Sequence, residues 1–91
     1  MMTDAELKRN AVKLHAEVNG WLYKGAETVL EDKAVSKHTL LLWVSRMKNL
    51  EAESRKLAIT VNTEQGKRAW VRARELHSKM KERLKKDYGI I

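Results

Sequence analysis

Leu40, Trp43, Met47, Leu50, Ser54, Leu57 and Val61 follow an unbroken alternation of three- and four-residue steps. An α-helix turns every 3.6 residues, so such positions line one narrow side, and a side like that must be covered by another helix. The spacing predicts a helix over 37–61 with a coiled-coil-like seam, Ser54 being its one polar member. Ninety-one residues are enough for one core and too few for two, so the expectation is a single helical domain over 1–91. The cover for the seam is then either another part of this chain or a second copy, which would make a homodimer through 40–61.

The flanking segments carry helical signals of their own. Thr3 followed by Glu6 is a capping box, in which hydroxyl and carboxylate each satisfy a backbone N–H that the first turn leaves free. From there Leu7, Ala11, Leu14, Val18 and Trp21 or Leu22 recur at threes and fours, which predicts a helix over 4–32 with those residues facing the core. Asn19-Gly20 and Gly25 predict a break or kink between 19 and 25, since each glycine costs about 1 kcal/mol against alanine in a helix interior. Ser36 is placed to cap the second helix and Asn62, with Gln65 three residues on, to begin the third. Over 63–87, Ala69, Ala73, Leu76, Met80, Leu84 and Tyr88 form an apolar stripe, and Gly89 is placed to end the helix. Proline and phenylalanine are absent, which agrees with helices throughout. The expected fold is all-α: a three-helix antiparallel bundle, or a long helical hairpin with an additional N-terminal helix. Helices of about 25 residues would make a rod of roughly 35 to 40 Å.

Charge says more about partners than about fold. The net charge is +7, and residues 63–91 hold nine basic against four acidic side chains, while residues 1–33 hold five against six. Such asymmetry favours an acidic partner: nucleic acid, an anionic membrane surface or an acidic protein patch. On the third helix the cations fall in two stripes flanking the apolar face. One comprises Arg68, Arg72, Lys79, Arg83 and Lys86, the other Lys67, Arg74, Lys81 and Lys85. Bases on both flanks suit a phosphate backbone, and the residues expected to carry binding are Arg68, Arg72, Arg74, Lys79, Arg83 and Lys86. The acid-before-base pairs Glu64–Arg68, Glu75–Lys79 and Glu82–Lys86 equally suit a solvated helix face.

Leu41, Leu42, Trp43 and Trp70 are the expected anchors of the competing reading, a protein-interaction module that regulates or inhibits a larger machine, of the kind a mobile element encodes. A third reading, the basic helix lying on an anionic membrane, rests on charge alone.

The stretch Ala34-Val35-Ser36-Lys37-His38-Thr39-Leu40-Leu41-Leu42-Trp43-Val44 resembles the turn and recognition helix of a helix-turn-helix DNA-binding unit. Val35, Leu40 and Trp43 occupy the positions that such units keep apolar, and 26–33 would be the first helix. The resemblance implies that Ser36, Lys37, His38, Leu41, Leu42 and Ser45 face the major groove. Ala34 stands where the turn usually has glycine and Lys33 where it has an apolar residue. Leucines at 41 and 42 cannot read base-edge donors and acceptors. A capped helix start at Ser36 accounts for the same residues without DNA.

Catalytic ingredients are thin. There is no cysteine, no glycine-rich phosphate loop and no serine paired with a histidine, so a non-enzymatic protein without cofactor is expected. His15, His38 and His77 fall one per helix with no local pair to seed a metal site, and surface or boundary positions are expected for them. The longest apolar run, Leu40 to Val44, is far short of the roughly 20 residues of a membrane span. With no signal-peptide pattern at the start, a cytoplasmic location is the expectation.

Overall fold

The structure, a computed structural model, describes residues 2–89. It contains α1 (Asp4–Glu31), α2 (Lys37–Val61) and α3 (Glu64–Tyr88), packed as a three-helix bundle. Each helix begins at a hydroxyl that accepts from a backbone N–H three residues on: Thr3 from Glu6, Ser36 from Thr39 and Thr63 from Gly66, all at 3.2 Å. Thr63, not Asn62, starts α3. Asn62 instead ends α2 in the left-handed conformation, φ 51°, its N–H bonded to the Ala58 carbonyl. Gly89 ends α3 with φ 68° and a 2.8 Å bond to the Lys85 carbonyl, the conformation that favours glycine.

Residue pairs across the interfaces show the topology. Glu51 meets His77, and Ala58 approaches Gly66, so α2 and α3 run antiparallel across a two-residue connection. Gly25 meets Trp43, and further from the connection Glu53 lies near enough to His15 to act on its charge, so α1 and α2 are also antiparallel. Tyr23 reaches Ala69 and Leu30 reaches Arg83, so α1 and α3 run parallel. The bundle measures 52 × 20 × 16 Å. That is longer than the rod expected, and longer than the about 42 Å of a 28-residue helix, because the helices are offset along the axis. Since α1 and α2 lie alongside one another, they lack the crossing of about 90–120° that defines a helix-turn-helix unit. Val35 and Leu40 pack instead with Leu84 in a small cluster that closes this end of the bundle.

The heptad seam of α2 is consumed inside the bundle. Leu40, Met47, Leu50, Ser54 and Val61 are buried, and Trp43 and Leu57 half-buried, which leaves no seam at 40–61 for a second copy. Tyr23, Ala26, Ala73, Leu76 and Met80 complete the core. Leu40, Met47, Leu50 and Met80, each almost fully buried, contribute about 1.5–3 kcal/mol apiece of hydrophobic stabilisation. Ser54 is accommodated because its hydroxyl donates to the Glu51 carbonyl at 3.0 Å.

α1 departs from expectation twice. It has no break at 19–25. Gly25 lets the Trp43 ring lie against the helix backbone, where a Cβ would overlap Cη2 and stand 2.9 Å from Cζ2. The Asn19 amide donates to the His15 carbonyl at 3.1 Å within the same helix. In addition, most of the stripe expected in the core faces outward: Leu7, Leu14, Val18 and Trp21 are 52–59 % exposed, while Leu22, the alternative to Trp21, packs against the core. The buried face is centred instead on Asn19, Tyr23 and Ala26. A polar chain anchors it, with the His15 ring 3.1 Å from the Tyr23 hydroxyl and that hydroxyl donating to the Ala69 carbonyl at 3.2 Å.

Candidate functional site

The two basic stripes of α3 meet different fates. The first faces α1, and two of its five members, Arg72 and Arg83, are engaged there. The Arg72 guanidinium lies 4.7 Å from the Tyr23 ring centroid and pairs with Glu27. Arg83 is drawn in further, its side chain only 15 % exposed. It donates Nη1 to the carbonyls of Val29 and Leu30 at 2.9 Å each and Nη2 to the carbonyl of Asp32, while Nε holds Asp87 at 3.2 Å. The last turn of α1 has no basic residue of its own, so Arg83 caps it from a neighbouring helix. Arg83 is therefore committed within the chain. Arg68 remains exposed beside Glu64 at 3.5 Å, and Lys79 and Lys86 share a depression with Glu82 and Asp87.

The second stripe flanks α2. There Trp70 is half-buried between the helices, with the Arg74 guanidinium 5.4 Å from its ring centroid. A shallow depression on one side of the ring is lined by Ala58, Ile59, Asn62, Lys67, Val71 and Arg74. Another, also touching Trp70, is lined by Lys48, Glu51, Ala52 and Arg55. Four cations from two helices thus line the two depressions that meet at this ring, and Arg74 lies over it. Lys81 and Lys85, at heptad and four-residue steps beyond Arg74, extend the line along α3. Glu51 is the acidic residue among those lining the two depressions, and its Oε2 is 2.8 Å from Nδ1 of the buried His77. Of the residues anticipated from sequence, this face gathers Arg74 and Trp70 and leaves Arg68, Arg72, Lys79, Arg83 and Lys86 on the other flank. Lys48, Arg55, Lys67 and Ile59 were missed as site residues. The seven-residue spacing of Lys48 and Arg55 was the available signal, and only the packing of α3 beside them gives it meaning.

The remaining anchors divide similarly. Trp43 lies against Gly25 and edge-on to Trp21, ring centroids 6.4 Å apart, with the Arg46 guanidinium 4.9 Å from one ring and 5.6 Å from the other. It is a packing residue. Leu41 and Leu42 are exposed.

No family model, curated protein or solved structure matches this chain. The chemistry of the α2–α3 face is then the guide to what it can do. A tryptophan among lysines and arginines offers a π-surface for stacking and several donors for phosphate oxygens. Among the described residues no three His, Cys, Asp or Glu side chains are grouped to hold a metal, and no helix is long and apolar enough to cross a membrane.

Proposed function

We propose that this protein is a non-enzymatic binding module that grips nucleic acid on the α2–α3 face. The observation that carries the proposal is the half-buried Trp70 with Lys48, Arg55, Lys67 and Arg74 lining the depressions against it. Cations carried on two packed helices need no backbone rearrangement to meet phosphate oxygens, and the ring supplies a sequence-tolerant contact. Base-specific recognition is not part of the proposal.

The test is fluorescence anisotropy of labelled mixed-sequence DNA and RNA, single-stranded and duplex, at about 50 and then 200 mM salt. Binding is expected to fall steeply with salt. Changing Arg55, Lys67 and Arg74 together to Glu is expected to abolish it, with quenching of Trp70 fluorescence lost in parallel. Absence of binding at the lower salt overturns the proposal. A second reading, a protein-interaction module, has its own support in the outward apolar stripe of α1.

A further inference from the structure

Leu7, Leu14, Val18 and Trp21 are large apolar side chains, each more than half exposed, on one stripe of α1. With Ala11 they continue a heptad pattern over residues 7–21 whose large side chains the bundle leaves more than half exposed, while Gly25, the next position, is met by the Trp43 ring. Exposed apolar residues scattered singly need no partner, but a stripe at this period fits another helix of the same period. Its far end is held in place: Arg46 stacks over both Trp21 and Trp43, fixing the Trp21 ring at the rim.

The charges beside the stripe select the occupant. Glu17 and Lys24 lie on its outer flank, in the position that meets the equivalent flank of an antiparallel partner helix. Seven residues apart, they are about 10 Å from each other along the axis and cannot pair within α1. Neither makes an ion pair among the described residues. For two copies of α1 laid antiparallel, heptad steps allow three central registers. One sets Glu17 against Glu17, one Lys24 against Lys24, and one sets Glu17 of each copy against Lys24 of the other. Only the last is attractive, and two-fold symmetry makes it twice over. The same register places Trp21 of each copy on Val18 of the other, large against small. In a parallel pair the flanking residue opposite Glu17 is Leu22, and no such complement exists.

We infer that the outward stripe of α1 binds a second copy of this chain, antiparallel, in the register that pairs Glu17 with Lys24. Binding buries Leu14, Val18 and Trp21 and leaves the α2–α3 face of each copy free, so this inference and the nucleic-acid proposal stand or fall separately.

Sedimentation equilibrium of the full chain across a wide range of protein concentration tests it, with circular dichroism confirming that each variant stays helical. Wild type is expected to dimerise and Leu14→Lys to remain monomeric. Glu17→Lys alone and Lys24→Glu alone each convert two attractive contacts to repulsive ones and are expected to weaken the dimer about tenfold. The double exchange Glu17→Lys with Lys24→Glu restores it. A wild type that stays monomeric throughout overturns the inference. So does a dimer that both single charge variants leave unchanged, or one that the double exchange fails to rescue.

Discussion

The last carbonyls of a helix have no partners within it, and α1 supplies no lysine, arginine or histidine of its own in its final turn. Arg83 meets that need with a planar fork whose geometry an ammonium cannot copy. Arg83→Ala is expected to lower stability by about 2–3 kcal/mol in denaturant unfolding, as for hydrogen bonds from a charged donor, and Arg83→Lys to recover little of it. The glycines of α1 make a matched pair of tests. Gly20 has open space where a Cβ would go, so Gly20→Ala is expected to stabilise by up to about 1 kcal/mol. At Gly25 the Trp43 ring occupies that space, and Gly25→Ala is expected to cost about 1–2 kcal/mol despite the same gain in helix propensity. His15 supplies the pH dependence. Burial among Tyr23, Asn19 and α2 lowers its pKa from the ordinary 6.5, with Glu53 on α2 opposing part of that shift. Because the unfolded chain then takes up the proton first, the contribution of neutral His15 is complete above about pH 6.5 and is lost as the pH falls towards its lowered value. His15→Gln should flatten that part of a stability–pH profile. An unchanged profile would locate the dependence elsewhere.

Among the elements, α2 and α3 form a tightly packed hairpin, while the first half of α1 carries much of its apolar surface outside. Hydrogen exchange at micromolar concentration is expected to be faster over residues 4–14 than in the middle of α2 or α3, because opening those turns exposes little new apolar area. Uniform protection across the three helices would contradict the difference in packing. What the sequence made legible follows the same division. Helix ends were readable where the signal is local: the hydroxyls of Thr3 and Ser36 and the glycine at 89 act on residues three or four away. α2 was met at both ends. The break assigned to 19–25 failed because the reason for Gly25 is Trp43, eighteen residues on and on another helix. The outward turn of the α1 stripe was hidden for a related reason: a heptad pattern announces that a partner helix exists, not that it belongs to the same chain. The two basic stripes of α3 are equivalent on a helical wheel, and only the position of α1 distinguishes cations engaged by the bundle, such as Arg72 and Arg83, from those left around Trp70.

At the scale of the whole molecule, the bundle separates its two unusual surfaces. One flank of α1 is apolar, and the face built by α2 and α3 is cationic. A pair of copies joined through α1 would therefore carry two cationic faces on its outer sides. The Arg83 cap also bears on how the bundle assembles in time. α2 and α3 are joined by two residues and their contacts are close in sequence, so the hairpin is the part whose loop closure is least costly. Arg83 bridges to carbonyls more than fifty positions earlier, and its bonds form only once α1 has docked along α3. Folding would thus proceed with the end of α1 still fraying, and the guanidinium would act as a latch that closes late. In stopped-flow kinetics Arg83→Ala is expected to speed unfolding and leave the folding rate nearly unchanged. A folding rate that falls as much as stability does would place α1 in the nucleus instead.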